Sequence, residues 1–371
     1  MKSETNTQQN QSFTLNMGPQ HPSTHGVLQV ILEMDGEYVL DPQPVLGYIH
    51  RMHEKMGESR PCRKFLPNTG RMDYVCALPF NHGYVGLIER AAGIEVPPRA
   101  EYIRVITSEL NRVASHLLWL GAFLLDLGAF TPIMYSFDDR EQILDILEEI
   151  TGSRLTYCYF RPGGVYQDIS DKFIEGTRAF IKRMRSRFSI YEKLVATNII
   201  FIKRAEGVGV ISPDMARRYG VTGPLLRGSG ISYDIRKQEP YSVYSDFDFD
   251  VPVGENGDSL DRYKVRVQEM EQSLRIIEQA LDKLPEGPYL GKAPKKIKLP
   301  PGDSSFSVEA ARGELAYYLV GDGSEIPYRL KIRVPSYSNL SVLPELGRGI
   351  LLADLVTIMG SFDLVIPEID R

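Results

Sequence analysis

Ile103, Ile106, Leu110, Val113, Leu117, Leu120, Leu124 and Leu127 follow one another at alternating steps of three and four. Such a stripe runs along one side of a helix of about seven turns and has to be buried against other helices. Pro97-Pro98 open the tract, and Gly128 and Pro132 break it. Further helices are expected over residues 139–150, 170–197 and 259–284, the last with Leu260, Tyr263, Val267, Met270, Leu274, Ile277, Leu281 and Leu284 on one face. Four long amphipathic helices imply a bundle. Asp126 falls at the end of the first stripe, inside Phe-Leu-Leu-Asp-Leu-Gly. A carboxylate has few reasons to stand there unless it is hydrogen-bonded or functional; capping, or pairing with Arg112 or Arg140, is the plain alternative.

The flanks read differently. Residues 1–11 are polar and expected to be flexible, without the basic start and apolar core of a secretory signal. Residues 27–33 and 37–45 surround Met34-Asp35-Gly36 and predict a β-hairpin. Residues 50–60 read as a polar helix stopped by Pro61. Residues 241–257 and 285–301 read as surface connections. Short strands are expected at 306–310, 315–320 and 329–334, joined through Arg312-Gly313 and Asp322-Gly323, before a helical run over 351–359. The fold class is α+β, with an N-terminal part at 12–96, a helix bundle at 97–284 and a short-stranded C-terminal part at 285–371.

Chemistry concentrates early. All six histidines (His21, His25, His50, His53, His82 and His116) lie in the first third of the 371 residues. Residues 18–26, Gly-Pro-Gln-His-Pro-Ser-Thr-His-Gly, form a rigid loop rather than a helix, because Pro19 and Pro22 remove donors and extend the residues before them. Arg71-Met72-Asp73-Tyr74 is a second polar constellation that apolar periodicity does not explain. His25 and Tyr74 are expected to face one buried ligand. His21 either joins them or fixes the loop by bonding backbone, and His82 and His116 read as structural. The three cysteines, Cys62, Cys76 and Cys158, form no close pair, which suits a reducing compartment and excludes a cluster or zinc site of the chain's own. A net charge of -5 without a basic block argues against nucleic acid. No run of eighteen uncharged apolar residues suggests a membrane span, so any membrane contact is expected through partners.

These motifs resemble the 49 kDa, or D-type, subunit family of the proton-pumping NADH:quinone oxidoreductases, respiratory complex I. The resemblance runs through residues 17–26, Gly47-Tyr48-Ile49-His50-Arg51, Arg71-Met72-Asp73-Tyr74, Leu125-Asp126-Leu127-Gly128-Ala129, Arg161-Pro162-Gly163-Gly164, Leu226-Arg227-Gly228-Ser229-Gly230 and Gly313-Glu314 to the terminal Glu368-Ile369-Asp370-Arg371. It implies a fold similar to the large subunit of nickel-iron hydrogenases, whose two cysteine pairs hold a metal. Here His53 and Met56 stand in the first two slots after Arg51, and Val365, Glu368 and Arg371 in the later ones. Val365 cannot ligate, so the resemblance implies a former metal pocket turned into a cavity for a quinone head group. The missing cysteines set aside a hydrogenase-like metalloenzyme; a scaffold with a decayed quinone site is the other alternative.

By the same resemblance, His25 and Tyr74 donate protons to the quinone and Asp126 pairs with His25. Arg51 lies against a 4Fe-4S cluster held by the partner B subunit. Thr156, where many members carry histidine, lies near that cluster too. Leu364 and Pro367 replace the usual proline and glycine at the C-terminal end. The implied partners are the B, C and I subunits and the membrane-embedded H subunit, on the cytoplasmic face of the energy-coupling membrane. This chain binds no cofactor alone, and NAD binds elsewhere in the complex. NADH, ferredoxin and F420 remain open as electron donors, and the acceptor quinone is equally open.

Overall fold

A computed structural model describes residues 12–21 and 26–371; the expectations for residues 1–11 and for His25 lie outside the described residues. The apolar stripe forms the central helix Pro98–Asp126, started by Pro98 in its first turn, where a missing N–H costs nothing. Thr131–Thr151 folds back on it and begins eight residues ahead of the expected 139, with Pro132 in its first turn, the preceding helix having already closed at the left-handed Gly128 (φ 83°). Ser259–Asp282 packs along the central helix, and Asp171–Tyr191 packs on Thr131–Thr151 and continues into a π-helical turn, Glu192–Ala196. The bundle is as the periodicity predicts.

One buried helix, Ala77–Ala92, escapes that pattern because it is enclosed nearly all round and carries Pro79, Gly83 and Gly86. Its glycines have a reason. A Cβ at Gly83 would stand 3.0 Å from the Tyr317 ring and one at Gly86 2.5 Å from Phe306, so the helix lies directly on the sheet that carries those rings. That sheet is an antiparallel meander of Gly302–Ala310, Gly313–Gly321 and Arg329–Arg333, with Ala311-Arg312 as the first turn.

The N-terminal sheet is antiparallel throughout, in the order Phe13–Met17, Gln29–Asp35, Tyr38–Val45 and Ile350–Leu351. The expected hairpin is present, its two-residue turn falling on Gly36-Glu37 with Gly36 at φ +60°. Val30, Leu32 and Met34 are buried in one apolar cluster with Leu355, Ile358, Met359 and Phe362 of helix Leu352–Phe362. The polar tract 50–60 is a correction: Met52 takes a left-handed conformation (φ 55°), and only His53–Gly57 is helical before Cys62–Thr69 follows Pro61. Among the described residues no helix is long and apolar enough to cross a membrane.

Candidate functional site

Residues 71–76 link helix Cys62–Thr69 to helix Ala77–Ala92, and their conformation is set by Asp73. Its Oδ1 accepts from the amides of Val75 at 3.0 Å and Cys76 at 2.9 Å, satisfying donors at a helix start that has no cap of its own. Asn111 of the central helix pins the same turn, accepting from Leu78 N and donating to the Val75 carbonyl, each at 3.0 Å. Met72, Asp73, Val75 and Cys76 are thereby buried, whereas Tyr74 keeps 37 % of its surface exposed. Burial raises its phenol pKa, Asp73 and Asp363 add to that, and Arg312 works against it.

Arg312 stands at the tip of a hairpin, yet it is fully buried. Nη1 donates to Asp73 Oδ2 at 2.8 Å and to Ser115 Oγ at 3.0 Å, while Nη2 reaches Asp363 Oδ1 and Nε the Asp363 carbonyl, both at 3.1 Å. Burial opposes the guanidinium charge, but Asp363, Asp73 and Glu368 outweigh it. Asp363 is left-handed (φ 57°) where helix Leu352–Phe362 stops, and burial pushes its carboxyl up to about 6 against Arg312 and Arg266. Leu364 is buried, and Pro367 sits in the first turn of helix Ile366–Asp370. Burial also raises the Glu368 carboxyl, whose Oε1 accepts from Ser336 N at 2.8 Å.

Asp126 lies one helical turn away. The site of a Cβ on Gly360 is 3.5 Å from Asp126 Oδ2, and Gly360 precedes Asp363 by three residues, a rise of about 5 Å. Trp119 Nε1 donates to the Gly360 carbonyl at 2.8 Å, and Arg266 Nη1 to that of Ser361 at 2.9 Å, fixing this turn against the bundle. Burial pushes the Asp126 carboxyl up to about 6. Arg112 is committed to Glu109 at 3.1 Å. His21 is exposed and bridges antiparallel to Gly26. His25, and any pairing of it with Asp126, lies outside the described residues.

Arg51 and Thr156 meet the Tyr74 segment from its other end. Arg51 Nη2 donates to the Arg71 carbonyl at 2.7 Å, and burial followed by the Arg71 charge lowers its pKa. Thr156 is left-handed at φ 51°, and a Cβ on Gly70 would stand 2.7 Å from the next residue's carbonyl, that of Tyr157. The loop bearing Thr156 therefore rests on the residue before Arg71. His53 is buried edge-on to Phe65, and burial, then Arg51, His50 and Arg71, depresses its pKa to about 4. Among the described residues no group of three or more His, Cys, Asp or Glu side chains is arranged to hold a metal ion.

A buried ionic network behind the site is absent from the sequence reading. Arg227 donates to Glu269 at 2.6 Å and Glu309 at 2.9 Å, His116 Nε2 meets Glu269 at 3.1 Å, and Arg236 joins Glu109 to Asp234 at 3.0 and 2.6 Å. The sequence does carry a signal for it: Glu109, Arg112 and His116 repeat at helical spacing on a helix whose apolar stripe already requires burial.

Residues 126–299 and 293–371 match the family of the respiratory-chain NADH dehydrogenase 49 Kd subunit. The chain is 61% identical over 362 residues to the D subunit of the NADH-quinone oxidoreductase of Desulfotalea psychrophila, and 61% identical over 362 residues to that of Syntrophobacter fumaroxidans, covering 97% of each chain in both cases. It is 49% identical over 361 residues to the corresponding D subunit of Geobacillus kaustophilus, covering 97% of this chain and 98% of that one. A buried polar site that joins the Asp73 turn to the C-terminal part through Arg312, on a fold with a central helix bundle, and similarity along nearly the whole length agree: the chain belongs to the 49 kDa subunit family of the respiratory NADH dehydrogenases.

Proposed function

We propose that this chain, as a subunit of an NADH-quinone oxidoreductase complex, forms the quinone head-group site together with the cluster-bearing B subunit. A quinone becomes a quinol by taking two electrons and a proton on each carbonyl oxygen, so its site has to present two donors to one ring. Tyr74 donates one proton and His25 the other, with Asp126 holding the His25 tautomer and stabilising its imidazolium. The electrons come from the partner's 4Fe-4S cluster, beside which Arg51 and Thr156 lie. Permanent positive charge on Arg51 favours the reduced cluster. NAD binds elsewhere in the complex, and the C, I and H subunits complete the surroundings, with membrane contact made through partners at the cytoplasmic face.

One observation carries this reading: Tyr74 alone turns outward from the buried stretch 72–76, on a segment whose Arg71 carbonyl holds Arg51. A phenol and the edge expected to face an electron donor thus share one rigid piece of backbone. The test is quinone-reductase turnover of the assembled complex with Tyr74→Phe and His25→Ala, after electron paramagnetic resonance has established that the partner's cluster is present and reducible. Collapse of turnover with an intact cluster signal is expected. Unchanged turnover in both variants would make this chain a scaffold and move the head group elsewhere.

A further inference from the structure

We propose that Arg312 is the positioning residue of this site: clamped between Asp73 and Asp363, it fixes the loop that presents Tyr74 and holds a permanent positive charge behind the phenol. The inference rests on the reading of Tyr74 as a proton donor. Its geometry is independent of that reading. A hairpin turn ordinarily lies at the surface, because its backbone groups need water. This one is driven into the protein, where Asn339 Nδ2 donates to the Arg312 carbonyl at 3.2 Å and the guanidinium spends four hydrogen bonds on Asp73, Ser115 and Asp363.

Each of those contacts leads to a different part of the site. Asp73 is the residue whose other oxygen shapes the turn through Val75 and Cys76, so the direction of Tyr74 depends on where Arg312 holds it. Asp363 ends the helical turn that begins beside Asp126. Arg312 thus joins the Tyr74 side to the Asp126 side through one planar cation, with a fork geometry that lysine cannot reproduce.

The electrostatic consequence follows from the neighbours. The charges that bear on the Tyr74 phenol are those of Asp73, Arg312 and Asp363, and Arg266, Glu368 and Cys76 act in turn on the clamp. Giving a proton to quinone leaves a phenolate, which Arg312 stabilises and the two carboxylates oppose. Neutralising Asp363 while keeping its shape therefore makes the phenol more acidic. Removing the fork while keeping the charge misplaces the loop.

The experiment uses the assembled complex and a short-chain quinone. A fluorinated tyrosine at position 74 makes the phenol intrinsically more acidic and brings its ionisation into an accessible alkaline range. Turnover against pH should then fall on an alkaline limb, and Asp363→Asn should move that limb to lower pH. Arg312→Lys should lower kcat at least tenfold while KM changes less than about threefold, with the partner's cluster signal unaltered. An alkaline limb that Asp363→Asn leaves in place, or full kcat in Arg312→Lys, overturns the role of Arg312 and leaves Tyr74 as donor. A profile without any fluorotyrosine limb overturns the Tyr74 reading itself.

Discussion

Asp370 and His50 are 320 positions apart in the chain and 2.5 Å apart in space, the carbonyl oxygen of the first against Nδ1 of the second. The same aspartate accepts from the amides of Gly47 and Ile49, both at 2.9 Å, so the last residues of the chain act as a template for the segment leading into Arg51. Asp370→Ala strands two amides at once. The cost is expected to be about 2–4 kcal/mol locally, measured as faster hydrogen exchange at residues 47–51 in the assembled complex. Protection unchanged from the parent would show that water or a partner subunit supplies those contacts instead.

Acid sensitivity should be shared by Glu109 and Glu269, the two buried carboxylates that the network holds far below their ordinary range, and the Glu109 share can be tested separately. Burial would raise the Glu109 carboxyl, but Arg112 and Arg236 outweigh burial and hold it at about 2, with Tyr244 and Ser273 also donating. The folded value lies below the ordinary carboxylate range. The group therefore contributes stability that is fully present above about pH 4.5 and is lost as pH falls toward 2, about 3 kcal/mol in all. Glu109→Gln should make the acid limb of unfolding shallower across that window, Glu269 supplying the remainder, and cost stability at neutral pH. An equally steep acid limb in the variant would place the titrating group elsewhere in the network.

How far the sequence alone could go is clearest in the contrast between two helices. Pro98–Asp126 buries a regular stripe, so its existence follows from spacing. Ala77–Ala92 is enclosed nearly all round, and its glycines, which read as helix breakers, are needed for contact with Tyr317 and Phe306; periodicity has nothing to detect in such a segment. The site divides the same way. Tyr74 stands in a short polar motif and Asp126 is a lone carboxylate in an apolar run, so both stand out along the chain, whereas Arg51 is marked only by the family resemblance. Arg312 does not stand out, because its importance comes from partners 239 and 51 positions away.

Thr156 carries backbone strain that can be relieved. A β-branched residue at φ 51° crowds its own carbonyl, at a cost of about 1–3 kcal/mol. Asparagine tolerates this conformation through its short polar side chain. Thr156→Asn should recover about 1 kcal/mol and slow exchange in residues 152–158, whose far side is tied down by Arg154 to Glu141, Asp145 and Glu148. Faster exchange would mean that the threonine side chain makes a contact worth more than the strain.

Gly70→Ala tests whether the Thr156 loop and the Arg51 edge form one surface. Gly70 has an ordinary right-handed conformation, so no backbone preference demands glycine there. What excludes a side chain is the Tyr157 carbonyl, 2.7 Å from where the Cβ would stand, together with the Ala77 methyl at 3.1 Å. Backbone cannot turn aside as a flexible side chain can, so the added methyl has to push residues 156–157 away from residues 70–71. Arg51 remains bonded to the Arg71 carbonyl and Tyr74 remains behind Asp73, because neither contact involves the displaced loop. Overpacking of this size typically costs about 1–3 kcal/mol. The expected result is a changed midpoint potential or line shape of the partner's cluster, with KM for quinone within about twofold of the parent. If the cluster signal is unchanged while KM rises, the Thr156 loop faces the quinone rather than the cluster, and the division of the surface between Arg51 and Tyr74 has to be redrawn.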